Sequence, residues 1–248
     1  MMRPNVIILT SGLTGSSVLA GLLARAGYWT GDKTHKKQDY DTHENQELIE
    51  LNLRIFQEID YRGDYLVQFS PEAIRRAAGL RNPSCEDACR AFIRKCSAHE
   101  PWLWKDPRLW MTVHFWKSLM DLKKCRFIVL ERNYWQMWIS TMLRRQIVTY
   151  RRSRRYEQDI KDSAVQFLKD HGLDYLSLRY EDLIVHPSET IGSLNNFLGA
   201  NLTIDELKQV YHKPLYKTPV SSFREHVKAF LIYAKNYSSR LDIAAEGR

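Results

Sequence analysis

Unbroken apolar runs alternate along this chain with stretches of helical spacing. Val6-Ile7-Ile8-Leu9 is continuous, the pattern of a strand buried on both faces of a parallel sheet. A Gly/Ser turn from Ser11 to Ser17 follows, and Val18 to Ala26 then spaces its apolar residues helically up to Gly27, a C-cap residue. The same reading predicts helices over Glu44–Ile59, Pro71–Leu80 and Glu86–His99. Strands are expected at Trp102–Trp104, Arg126–Leu130 and Tyr175–Arg179. Helices are expected over Arg108–Met120 behind Pro107, from Tyr134 onward, over Tyr156–His171 up to Gly172, and over Ser188–Leu198 up to Gly199. Strands alternating with helices imply a three-layer α/β/α fold around a mostly parallel central sheet. No repeat or low-complexity linker interrupts the pattern, so residues 1–248 read as a single domain.

Composition narrows the class of partner. Lys and Arg total 37 against 29 Asp and Glu, giving a formal net charge of +8. That balance suits a polyanionic partner, whether a phosphorylated small molecule, a nucleic acid or an acidic membrane face. The paired arginines Arg144-Arg145, Arg151-Arg152 and Arg154-Arg155 supply much of it. They read as an electrostatic rim, as a solvated helix and loop, or as a nucleic-acid or lipid patch; no nucleic-acid motif accompanies them. The four cysteines, at 85, 89, 96 and 125, fit no zinc spacing, and three fall in one helix. Reduced thiols in a cytoplasmic protein are the expectation. No apolar stretch has signal-peptide or membrane-span length, so no stable membrane insertion is expected.

Three segments carry candidate chemistry, each at a strand end. The turn after Val6–Leu9 offers free backbone amides at a helix N-terminus, where an anion is favoured. Gly12 and Gly15 permit the tight path there, and Thr14, Ser16 and Ser17 add hydroxyls. The turn lacks the Gly-Lys-[Ser/Thr] ending of the nucleotide-kinase loop. Arg132 closes the Arg126–Leu130 strand with Ser140 eight residues on, a guanidinium and a hydroxyl suited to a phosphate monoester. Trp104-Lys105-Asp106-Pro107-Arg108 places two cations and a carboxylate at a third strand end. Lys105 can neutralise a leaving phosphate; Asp106 can orient it, take a proton, or cap the helix that Pro107 opens.

In this order and spacing, these segments resemble the PAPS-dependent sulfotransferases, the bacterial members above all (PAPS is 3'-phosphoadenosine 5'-phosphosulfate). Ser11 to Leu23 resembles their 5'-phosphosulfate loop and helix, and Arg126 to Ser140 their 3'-phosphate motif. Leu178-Arg179-Tyr180-Glu181-Asp182-Leu183, then Pro187 and Phe197-Leu198-Gly199, resembles their late strand and helix. Lys105 to Arg108 and the acidic Glu44-Asn45-Gln46-Glu47 have counterparts in the bacterial group. The likeness spans Val6 to Gly199. It departs at Leu13, where the family usually has Arg or Lys, and at Tyr134, where it usually has Pro.

The resemblance implies PAPS as donor, adenosine 3',5'-bisphosphate as product, and no metal. It assigns the 5'-phosphosulfate to amides from Thr14 to Val18, with Gly12, Gly15, Ser16 and Ser17 shaping the loop, and the 3'-phosphate to Arg132 and Ser140. Arg224, within Ser221-Ser222-Phe223-Arg224, stands in for a late loop that also touches the 3'-phosphate. Lys105 would take charge from the leaving group. Glu44 is the first choice of base, with His43, His35 and Asp106 behind it. A small-molecule or carbohydrate acceptor is implied, and no nucleic acid; nothing in the pattern sets an oligomeric state. The competing readings are an atypical kinase of the phosphate-loop class, a sulfotransferase-like module that binds nucleotide without turnover, and a nucleic-acid binder working through its arginines.

Overall fold

The computed structural model describes residues 3–38, 40–210 and 222–241. Strand β1 (Asn5–Leu9) leads into helix α1 (Ser16–Arg25), a hairpin of β2 (Thr34–Lys36) and β3 (Asp41–Asn45), and three helices, α2 (Gln46–Glu58), α3 (Pro71–Gly79) and α4 (Pro83–Ser97). After β4 (Leu103–Lys105) come α5 (Leu109–Trp116), β5 (Cys125–Glu131), α6 (Tyr134–Leu143), α7 (Tyr150–Asp170) and β6 (Tyr175–Arg179). Helices α8 (Asp182–Val185), α9 (Pro187–Leu198), α10 (Ile204–Val210) and α11 (Phe223–Lys235) follow.

The central sheet has the order β4-β1-β5-β6, every neighbour parallel. Successive side chains of a strand point to opposite faces, which is why the central strands β1 and β5 carry unbroken apolar runs, whereas the edge strand β6 is only partly buried. Ile7, Leu9, Trp104, Phe127 and Val129 share one core with residues of α2, α4, α5 and α7. Val6, Ile8, Leu103, Ile128 and Leu130 share the other with α1, α9 and α10. This is the three-layer α/β/α arrangement that the alternation predicts. Of the aromatic residues near the proposed site, Trp102, Trp104, Trp110, Phe115, Trp116 and Trp138 are buried. The four thiols are free and buried, and Trp104 Nε1 donates to Cys96 Sγ at 3.4 Å.

Several boundaries move, three of them at a capping side chain. The helix expected from Glu44 begins at Gln46, where the Asn45 side chain accepts from the amides of Glu47 (3.0 Å) and Leu48 (3.4 Å). Glu44 therefore sits in β3, in a hairpin the apolar pattern does not reveal. Asn82 caps α4 ahead of Pro83, and Thr149 caps α7. The early start of α7 puts Arg151 to Arg155 in helical turns rather than in a loop. Helix α5 is shorter than expected and ends at Trp116.

Candidate functional site

Because the sheet is parallel, the carboxyl ends of its strands share one edge, and ligands of open α/β sheets bind there. All three sequence-nominated segments meet on it. In the turn after β1, Gly12, Leu13 and Gly15 have φ of 92°, 55° and 79°, so the chain coils left-handed into α1. No side chain caps α1. Among the described residues, the amides of 12–17 have no hydrogen-bond acceptor. Unpaired donors at a helix N-terminus form an anion site. The amide of Val18 is outside this set, since it donates to Gly15 O at 2.9 Å. The hydroxyls of Thr10 and Thr14 bond to each other beneath the turn.

Lys105, the last residue of β4, has a side chain only 1% exposed. Its Nζ donates to Glu44 Oε1 at 2.5 Å and to Ser17 Oγ at 3.3 Å. Glu44, His43 and the loop are thereby drawn to one point. His43 has a left-handed φ of 54°, rare for a residue with a side chain, and its ring lies against Gly21 of α1. Burial lowers its pKa, Asp41 opposes that, and Lys105 adds to it. His35, on β2, is exposed.

Asp106 is fully buried with both oxygens engaged. Asn52 Nδ2 donates to Oδ2 at 3.0 Å; the amide and Nη1 of Arg108 donate to Oδ1 at 2.8 and 2.9 Å. Burial raises its pKa against the pull of Arg108. Arg108 Nη2 in turn donates to Tyr65 OH at 2.8 Å, and Asn52 accepts from Trp116 Nε1 at 2.9 Å. Asp106 thus anchors the corner that carries Lys105 and Arg108, and it is closed off from the open edge.

On the other side of the loop, Arg132 Nη1 donates to Leu13 O at 3.1 Å and to Ser140 Oγ at 3.4 Å. The two residues that the sequence nominates for a phosphate monoester therefore lie within hydrogen-bond reach of each other. The guanidinium lies over the Tyr180 ring at 5.2 Å, and its Nε is 4.0 Å from Glu181 Oε1. That Nε is a buried donor with no hydrogen-bond acceptor, and burial lowers the pKa of the group. Arg224 is exposed on α11 and makes no contact with Arg132 or Ser140 among the described residues; its neighbour Glu225 acts on Arg132 through charge. Ser221 lies outside the described residues.

Two partners escape sequence reading. Tyr180 packs its ring against Gly15. Glu157 accepts a hydrogen bond from Ser11 Oγ, while Tyr156 OH donates to Ser11 O at 3.3 Å and to Tyr65 O at 2.7 Å. A long helix far along the chain therefore fastens the start of the loop. Burial pushes the Glu157 carboxyl from 4.5 up to about 8, with the Ser11 hydrogen bond opposing. Its contribution to stability is fully present below the unfolded-state value and is lost as pH rises through about 8. Glu157→Gln keeps an acceptor for Ser11 without the buried charge. It is expected to leave stability unchanged below about pH 4.5 and to add a stabilisation that grows as pH rises, up to about 5 kcal/mol above the folded-state value, read from urea midpoints across pH.

Among the described residues no cluster of His, Cys, Asp and Glu could hold a metal, and no helix is long and apolar enough to cross a membrane. No family model matches the chain, and no curated protein matches it in sequence. Solved structures do resemble it. The sulfotransferase domain from the curacin biosynthetic pathway is 18% identical, with a TM-score of 0.54 over 87% of this chain and 80% of that one. Sulfotransferase STF9 from Mycobacterium avium is 11% identical, with a TM-score of 0.51 over 96% of this chain and 77% of that one. At such identities the likeness is one of fold: the chain has a sulfotransferase-like architecture.

Proposed function

We propose that this chain is a sulfotransferase that uses PAPS and passes the sulfuryl group to a hydroxyl or amine of a small-molecule or carbohydrate acceptor. The observation that carries the reading is the pair of cations flanking one amide-lined turn. Lys105 reaches Ser17 on one side, and Arg132 reaches Leu13 O and Ser140 on the other. A donor with a 5'-phosphosulfate and a separate 3'-phosphate matches two cationic ends; the phosphates of ADP or ATP form a single chain.

The residues present fit such a donor. Amides 12–17 would hold the 5' group, and the unaccepted Nε of Arg132 with Ser140 Oγ would meet the 3'-phosphate. When bound, PAPS supplies a sulfuryl group already joined to a good leaving phosphate. The protein's work is then positioning and charge stabilisation, as in phosphoryl transfer. Lys105 stands where negative charge builds on the leaving side. Its ammonium is shared with Glu44, so an anion on the loop competes for it and loosens Glu44. A carboxylate so released can accept the acceptor's proton. Asp106 holds the corner through Arg108 and Asn52, acting as a positioning residue.

Leu13 sustains a second reading, a module that binds adenosine 3',5'-bisphosphate without turnover, because its side chain brings no charge to the loop. Calorimetric titration with adenosine 3',5'-bisphosphate against ADP tests the site itself. Selective binding of the bisphosphate is expected, weakened more than tenfold in Arg132→Ala, about the effect of one charge-assisted contact. No binding, or equal binding of ADP, sinks both readings. Release of the bisphosphate from PAPS then separates enzyme from module.

A further inference from the structure

Helix α11 carries an apolar stripe that the donor site does not use. Ala229 is fully buried, and Tyr233 meets Trp138 at 5.5 Å, which fixes the inner side of the helix on α6, while Phe230 sits at the seam with Trp135 and Trp138 at 5.8 and 5.4 Å. Phe223, Val227, Phe230 and Leu231 are nonetheless 82%, 41%, 47% and 66% exposed. Spacings of four, three and one place them along one outward face of a 13-residue helix, about 20 Å long. Tyr237 and Leu241 extend the exposed apolar surface past its end. Exposed large apolar residues in one contiguous row mark an interaction surface.

Among the described residues, the charges on and beside the stripe are mostly cationic, with Asp64 facing Gln146 of the neighbouring connection at 3.5 Å. Arg224, Lys228 and Lys235 on the same helix are exposed, against the single acid Glu225, which is used in the capping box with Ser222. The connection from α6 to α7 borders this helix, since its Ile147 and Val148 share a hydrophobic cluster with Ala229, Ile232 and Tyr233. That connection carries Arg144 and Arg145, and the first turn of α7 carries Arg151, all exposed and paired with no carboxylate among the described residues. Aromatic and aliphatic residues on the outside of a short helix, rimmed by Lys and Arg, form the pattern of a helix lying in a membrane interface. A second copy of this chain would set one cationic rim against another, so charge disfavours self-pairing and favours an anionic surface.

We infer that the outward face of α11, with the arginines of the α6–α7 connection, docks this protein peripherally on anionic phospholipid. The apolar stripe enters the acyl boundary while the cations meet the lipid phosphates. Nothing in this docking depends on which nucleotide, if any, the loop binds.

Co-sedimentation of the full chain with vesicles tests it. Binding is expected to equimolar phosphatidylcholine and phosphatidylglycerol, with little to phosphatidylcholine alone, and is expected to fall steeply in high salt. The double variant Phe223→Ser, Leu231→Ser is expected to lose at least tenfold in vesicle affinity with an unchanged melting temperature, because both residues are exposed. Arg151→Glu with Lys228→Glu is expected to lose as much. Failure of the native chain to sediment with anionic vesicles at low salt would overturn the inference. So would binding that survives both double variants, or equal binding to neutral vesicles. A concentration-dependent dimer abolished by Phe223→Ser, Leu231→Ser, without lipid binding, would assign the face to a second copy instead.

Discussion

Lys105→Met is expected to slow release of adenosine 3',5'-bisphosphate from PAPS by about 10³-fold, the scale on which a preorganised charge at a developing anion contributes. The side chain is 1% exposed and its ammonium bridges Glu44 and Ser17. Desolvation makes each of those contacts stronger than it would be at a surface. Methionine keeps the stem and its packing beside α1 but removes the charge. It also strands the Glu44 carboxylate, which is only 16% exposed. Loss of a partner there costs about 1–3 kcal/mol of stability, so a slow variant could simply be an unstable one. Adding Glu44→Gln removes the stranded charge. The double variant should melt near the native temperature and turn over far more slowly than Glu44→Gln alone, which measures what loss of the base costs. A double variant as fast as Glu44→Gln alone would show that Lys105 supports structure and not chemistry. A single variant within tenfold of native turnover would remove Lys105 from the mechanism.

What is legible in the sequence follows from what each level of order depends on. β1 and β5 declare themselves because burial on both faces demands unbroken apolar runs, and the glycine turn beside β1 is local in sequence. Arg132 and Ser140 are legible because a strand end and the next helix fix their separation. Contacts that depend on long-range packing leave no such mark. Nothing near Ser11 announces that Glu157, far along the chain, accepts its hydroxyl. Nothing at Asp106 announces that Asn52 and Arg108 take both its oxygens. Helical spacing around Glu44 misplaces it in a helix, whereas the Asn45 cap defers the first turn and leaves Glu44 in a hairpin. That displacement matters chemically. A carboxylate at a helix start would serve the helix dipole; one on β3 faces Lys105. α11 is not among the elements named from the sequence, although Phe223, Val227, Phe230 and Leu231 repeat at helical spacing.

Gly15→Ala should be the most disruptive one-carbon change in the chain. Gly15 has φ 79° and ψ 14°, a left-handed conformation costing an L-residue about 1–2 kcal/mol. A methyl group there would also fall inside the ring of Tyr180, which is 2% exposed and wedged in the core beneath α1. Overpacking of this kind costs about 1–3 kcal/mol more, because a ring in a dense core has no free direction in which to move. The sum, about 2–5 kcal/mol, should appear as a clear fall in the urea midpoint. Gly172→Ala separates the two contributions. Its φ is 58°, and nothing lies within 4 Å of the added carbon, so it carries the backbone cost alone. Equal destabilisation by the two substitutions would mean that the Tyr180 ring yields freely. The consequence for binding follows from the same contact. Arg132 lies over the same ring, 5.2 Å from its centre, and reaches Leu13 O through Nη1. A ring displaced by the added methyl group must carry the guanidinium with it or break its hold on the loop. Gly15→Ala is therefore expected to lose adenosine 3',5'-bisphosphate binding while still folded at low temperature, and Gly172→Ala to keep it. Native affinity in folded Gly15→Ala would show that Tyr180 does not position Arg132.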